Sequence, residues 1–288
     1  MNVSLSRNVP RVDQWAIRNR QQTAWAGGDY AAVGNALQLV GEELCETMGL
    51  RQDARVLDVS AGNGHASLAA ARRWCDVTCT DSAPDLMNRH GTRGEARNLG
   101  VRFVDADAEA LPFGDQSFDA VVSTFGAMFA HDQERASAEM IRVCRRGGSV
   151  GLANWTPDGF IGELFAVIGS YSNAAGANLR AFDWGTGTRL AELFGVYGRV
   201  ETIVKKVAFR AASPAEWVER FRASYAPVLK SFAALDAAGQ RALSADLLEL
   251  VARFNRAEGG ARNGTRNGAR NCEMVVDAEY LEVVITRR

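Results

Sequence analysis

In Val56-Leu57-Asp58-Val59-Ser60-Ala61-Gly62-Asn63-Gly64-His65 an apolar run ends in a loop of small residues and passes straight into a helical stretch. Gly62 and Gly64 let the backbone approach a ligand closely and adopt φ values closed to other residues. The helix start behind them offers N–H groups with no partner inside the helix. This layout suits any nucleotide-like ligand, and Gly62-x-Gly64-x-x-Ser67 loosely matches a dinucleotide fingerprint with a small third residue. Asp58 points elsewhere. It stands inside the strand, where a carboxylate opposes a diphosphate but suits a cationic ligand. Asp81, twenty-three residues on, ends the next strand, where an acid can take two ribose hydroxyls. Asp107-Ala108-Glu109-Ala110-Leu111-Pro112-Phe113 follows a third strand and sets another acid at the same edge. One such Asp can be merely a helix cap; three at these spacings read as a binding set.

These residues need an open sheet to hold them. Short β-branched runs at 55–59, 76–80, 102–104, 120–123 and 149–154 alternate with helical stretches near 65–74, 85–98 and 133–145. That alternation predicts an α/β fold, a doubly wound, mostly parallel sheet covered on both faces. Ser82 ahead of Pro84 and Asp85 caps the second helix, and Gly147-Gly148 end the helix before the fifth strand. Residues 1–50 read as helical, with Val33, Leu37, Val40, Leu44 and Met48 near a 3.6 period and Gly49 as the stop. Beyond Trp155 two more strands are expected, at 200–210 and 280–287. Between them Ser213-Pro214-Ala215-Glu216 forms a capping box. It opens an aromatic stripe of Trp217, Phe221, Tyr225, Val228 and Phe232, and a further helix carries Leu243, Leu247, Val251 and Phe254. Residues 261–271 repeat Arg-Asn-Gly without a large apolar side chain and read as a loop.

Composition narrows the partners. The chain has 288 residues, 47% hydrophobic and 23% charged, with a formal net charge of −1, so a basic nucleic-acid face is not expected. No uncharged apolar run reaches the ~18 residues a bilayer span requires. The first fifteen residues lack the apolar core of a secretory signal, and the expected location is cytoplasmic. Cys45, Cys75, Cys79, Cys144 and Cys272 are scattered without zinc-ligand spacing and read as free thiols, so no metal is expected.

Residues 56–64, 80–81, 107–113, 117–123 and 140–148 resemble, in order and spacing, the motifs of class I S-adenosylmethionine-dependent methyltransferases. The nearest likeness is to the ubiquinone/menaquinone C-methyltransferase-like group, through Asp-Ala-Glu-x-Leu-Pro-Phe, and it covers roughly residues 50–155. The resemblance implies a Rossmann-like sheet of seven strands, the last antiparallel, with a helical cap and a helical lid. The division it suggests is a cap over 1–50, a cofactor-binding core over 51–212, a lid insertion over 213–257, a loop over 258–272 and a final strand over 273–288. It implies S-adenosyl-L-methionine as cofactor. Gly62 and Gly64 would pack under it, with Asp58 near its ammonium. Asp81 would hold the ribose hydroxyls, Ser82 would flank the adenine, and Asp107 with the Ala108 N–H would reach the adenine edge. Ser123, Thr124 and Phe125 would line the methionine end. The family usually carries glycine where this chain has Ser60.

The implied reaction is methyl transfer to a small molecule, by in-line displacement without metal. His131 is the first candidate base and His65 the second, if the acceptor is a hydroxyl or an acidic carbon. Trp25 and Tyr30 would close over the cofactor, and Trp155, Trp217 and Phe221 would meet a hydrophobic or aromatic acceptor, although such residues serve equally well as core. A second copy of the chain, as a homodimer, is a further candidate partner. Two other readings stand beside this one: a scaffold that keeps the cofactor for another reaction such as a cyclisation, and an NAD-dependent oxidoreductase, against which Asp58 and residues 107–113 argue.

Overall fold

The computed structural model describes residues 34–82, 98–171, 179–257 and 274–288. Among them seven strands form one sheet: β1 (Arg55–Val59), β2 (Asp76–Asp81), β3 (Arg102–Asp105), β4 (Phe118–Thr124), β5 (Cys144–Trp155), β6 (Gly198–Ala211) and β7 (Met274–Arg287). Their order is β3-β2-β1-β4-β5-β7-β6. The β1–β2, β1–β4, β2–β3 and β4–β5 pairs are parallel, and β7 runs antiparallel to both β5 and β6. This is the expected doubly wound sheet with an antiparallel last strand.

The period of two along each strand sorts side chains to the two faces. Val56, Ala120 and Val122 join a core under α1 (Gln38–Thr47) and α2 (His65–Arg72). Leu57, Val59 and Val121 join the larger core on the other face, with Met140 and Ile141 of α3 (Gln133–Val143) and Leu190 and Phe194 of α5 (Gly187–Phe194). In the same larger core lies the fully buried Phe160 of α4 (Phe160–Tyr171). Asp58, in step with Val56, must therefore face α2, and Ser67 of that helix donates to its Oδ2 at 2.6 Å.

Two expectations are corrected. Gly147 and Gly148 do not end a helix. α3 stops at Val143 and the pair lies inside β5, where the register with β4 jumps from Phe118↔Cys144 to Ala120↔Ser149. The aromatic stripe is also not one helix: it is α6 (Pro214–Ser224) and α7 (Ala226–Ala233), broken at Tyr225 ahead of Pro227. The capping box is present, with Ser213 Oγ accepting from Glu216 N at 3.1 Å and Glu216 Oε2 from Ala212 N at 2.9 Å. The Pro84-Asp85 cap, most of the helix expected at 85–98, and the 261–271 loop lie outside the described residues. No helix among those described is long and apolar enough to cross a membrane.

The register of β6 and β7 decides where the helices between them sit. Trp155, the last residue of β5, pairs with Tyr280, which pairs with Lys205. The pairing then runs on to Ala211↔Met274. The β6–β7 ribbon thus overshoots the carboxyl edge of the parallel strands by six residues on each strand, roughly 20 Å at ~3.3 Å per residue. It carries α6, α7 and α8 (Ala237–Phe254) on that side.

Candidate active site

A cavity of about 190 Å³ opens at the carboxyl edge, where open α/β sheets bind ligands. Its first half is polar and acidic. Ser60, Ala61, Gly62 and Asn63 after β1, Asp81 and Ser82 after β2, and Asp107 and Ala108 after β3 form its wall. A Cβ built on Gly62 (φ 53°) meets no atom of the described residues within 4 Å, so the bare backbone borders open space among them. Asp81 Oδ2 accepts from Gly62 N at 2.8 Å and ties the glycine loop to β2. Asp107 Oδ1 accepts from Glu109 N at 2.9 Å, folding its loop back on itself. Glu109 in turn accepts from the backbone N–H groups of His131 and Asp132 at 2.7 and 2.9 Å, and Arg142 reaches the carbonyls of Leu111 and Phe113. The Asp107–Phe113 segment is thereby fastened to α3.

Asp58 lies directly behind this wall. It is fully buried and does not line the cavity. Its Oδ1 has no hydrogen-bond partner among the described residues. Burial pushes its carboxyl up to about 7, Asp81 adds to the rise, and the Ser67 hydrogen bonds oppose it. The unfolded chain releases this proton near 3.8. Between about pH 4 and pH 7 the folded chain therefore holds a proton that the unfolded chain has lost, and stability falls as pH rises through that window. Asp58→Asn should flatten this part of the profile in urea titrations at stepped pH. An unchanged slope would show that Asp58 is charged in the fold.

Ser60 occupies the left-handed region at φ 55°, which explains why glycine suits this position. The loop closes because the next strand gives way. A Cβ on Gly126 would stand 2.1 Å from Ser60 O, so β4's exit must carry glycine there. A left-handed non-glycine residue costs about 1–2 kcal/mol, partly offset by glycine's greater freedom when unfolded. Ser60→Gly should raise the melting temperature by a few degrees in thermal scans and leave ligand binding intact. A lower melting temperature would mean that the serine side chain stabilises the loop.

The second half of the cavity is aromatic. Phe125, Phe129, Trp155, Ile161, Phe209, Phe221 and Tyr225 line it, with Thr124 at the junction. Phe125, itself left-handed at φ 61°, stacks on Trp155 with centroids 3.8 Å apart. Leu37 and Gly34 border the cavity, and so does His65, whose imidazole burial pushes down.

The structure thus brings Ser60, Gly62, Asp81, Ser82, Asp107, Ala108, Thr124, Trp155 and Phe221 to one cavity. Gly64 (φ 74°) caps α2 behind it. Ser123 is buried as a clamp: its hydroxyl donates to Val59 O at 2.7 Å and accepts from Ala127 N at 3.0 Å. Trp217 is turned away. It is 1% exposed, against Phe160 and behind Phe221. His131 is exposed and does not line the cavity, because Glu109 fixes its backbone at the outer end of α3. Trp25, Tyr30 and Cys272 lie outside the described residues. Sequence reasoning did not single out Phe129, Ile161 or Phe209. Phe209 shares the inner face of β6 with Val207, but only the overshoot of that strand makes it a wall. Among the described residues no group of three or more His, Cys, Asp or Glu side chains could hold a metal ion.

A family model described as a methyltransferase domain matches residues 57–152. The uncharacterized protein Rv1403c of Mycobacterium tuberculosis is 41% identical over 189 residues, 65% of this chain and 69% of that protein. Rv1405c of the same organism is 33% identical over 256 residues, 86% of this chain and 92% of its own. A demethylmenaquinone methyltransferase of Thermus thermophilus is 39% identical over 117 residues, 39% of this chain and 53% of that enzyme. Among solved structures, the YcgJ protein from Bacillus subtilis shares the fold with a TM-score of 0.57 at 18% identity, over 87% of this chain and 99% of YcgJ.

Proposed function

The chain belongs to the class I S-adenosylmethionine-dependent methyltransferases, with S-adenosylmethionine as cofactor, and we propose that it methylates a small, largely hydrophobic or aromatic acceptor by in-line displacement without a metal. The observation that carries this reading is the division of one cavity into an acidic half and an aromatic half. The acidic half fits the cofactor. In this reading Asp81 takes the ribose hydroxyls, Asp107 and the Ala108 N–H take the adenine edge, and Ser82 takes its flank. The buried Asp58, with its carboxyl at about 7 and one oxygen lacking a partner among the described residues, ionises readily beside a bound cation and then supplies negative potential behind the loop.

When bound, the cofactor supplies a methyl group already activated on a sulfonium. The protein's own work is then alignment and exclusion of water. Phe125, Trp155 and Phe221 provide the apolar surface for an acceptor, as in most small-molecule sites. His131 has no part in this reading, since it lies away from the cavity. His65 borders the cavity at the start of α2, and burial favours its neutral form, the state able to accept a proton.

The test is incubation with trideuteromethyl cofactor and a mixed panel of phenols, hydroquinones, hydrophilic amines and sugars, followed by mass spectrometry. The expected result is a deuterated methyl group on an apolar aromatic compound, with S-adenosylhomocysteine formed in equal amount. Label appearing only on hydrophilic acceptors, or an acceptor converted without label, would overturn the proposal.

A further inference from the structure

Tyr225 stands apart from the aromatic stripe to which its spacing assigns it. Trp217, Phe221, Val228 and Phe232 are buried, whereas Tyr225 is half-buried and lines the cavity. The cause lies two residues on. Pro227 has no N–H to give, and its ring would clash with the carbonyl four residues back if α6 continued through it. The chain therefore turns extended at Tyr225 (φ −95°, ψ 108°). Both its backbone groups stay satisfied, with its N–H donating to Phe221 O at 2.8 Å and its carbonyl accepting from Leu229 N at 2.9 Å. The joint between α6 and α7 is thus well made and carries a tyrosine. The ring is held by neighbours, 5.4 Å from Phe221 and 6.3 Å from Phe165 between centroids.

The chemistry of the surrounding wall gives this placement its meaning. The described residues of the aromatic half other than Tyr225 are hydrocarbon, save for the indole N–H of Trp155, whose ring is stacked on Phe125. The carboxylates, Ser82, Asn63, His65 and Thr124 all come from the ends of β1, β2 and β4 or the loop after β3. A phenol can both donate and accept a hydrogen bond. A site that binds a polar substituent through such a group rejects analogues lacking it far more strongly than a hydrocarbon wall distinguishes sizes.

We propose that Tyr225 is the specificity-determining residue of the acceptor chamber, its hydroxyl bonding a hydroxyl or carbonyl oxygen carried by an otherwise apolar, aromatic acceptor. The proposal rests on reading the aromatic half of the cavity as the acceptor chamber. The two can be tested apart with 2-naphthol and naphthalene as probes, titrated by calorimetry into the protein saturated with S-adenosylhomocysteine. The wild type should prefer 2-naphthol at least about tenfold, the value of one good buried hydrogen bond. Tyr225→Phe should abolish the preference and leave naphthalene affinity unchanged. Tyr225→Met, which also lacks the hydroxyl, serves as a second variant if the first melts early. A preference that persists in both variants, or equal binding of the probes by the wild type, overturns the role of Tyr225 alone. Failure of both probes to bind the wild type overturns the acceptor chamber and this proposal with it.

Discussion

Asp81→Ala lowers affinity for S-adenosylhomocysteine at least about tenfold, since a hydrogen bond to a charged group contributes about 1.5–3 kcal/mol. The carboxylate has two tasks in this fold. It faces the cavity at the end of β2, and it accepts the Gly62 N–H that holds the glycine loop in place. Asp81→Asn separates them. An amide oxygen can keep the Gly62 bond, while the charge for a ribose diol is lost. Calorimetric titration should therefore rank wild type above Asp81→Asn and Asp81→Asn above Asp81→Ala, with melting temperatures of the free proteins close together. Equal affinities across the three would reduce Asp81 to a tie within the loop.

Trp217→Ala has the largest expected effect on stability, and it should leave cofactor affinity alone. Trp217 fills the space between α4 and α6, with its ring 5.1 Å from Phe160 and stacked at 3.9 Å on Phe221. Truncating so large a buried aromatic side chain costs about 3–5 kcal/mol through lost burial and the remaining cavity. Its indole N–H has no partner among the described residues, so Trp217→Phe removes no hydrogen bond to them and should cost much less. Urea unfolding of the two variants checks the contrast. A stable Trp217→Ala protein with an altered acceptor KM would instead put the indole in the chamber.

The acidic half of the cavity was legible in the sequence because its signals are local. A buried strand running into Ala61-Gly62-Asn63-Gly64, and an acid at the end of each of two further strands, name their own positions once the sheet is inferred. The aromatic half depends on distant pairing. Phe209 becomes a wall only because β6 pairs with β7 beyond Trp155, a register set by residues about seventy apart in sequence. Helical period alone could not separate Trp217 from Phe221, since both lie on the inner stripe and only packing against Phe160 decides which meets the cavity. The stripe's continuity hid the break that Pro227 imposes. His131 looked well placed after β4, yet the carboxylate of Glu109 anchors that turn from outside the cavity. Asp58 reads in the sequence as a charge beside a ligand, whereas the structure buries it behind the cavity wall, because α2 lies over its face of the sheet.

The most direct test of the account is a pair of calorimetric titrations on the wild-type protein, one with S-adenosylhomocysteine and one with NAD. Both ligands carry an adenosine for Asp81 and Asp107 to hold, but NAD brings a diphosphate to a loop backed by the buried Asp58. S-adenosylhomocysteine should bind saturably, with a matching rise in melting temperature, and NAD should show no measurable binding. Tighter binding of NAD than of S-adenosylhomocysteine would contradict the account.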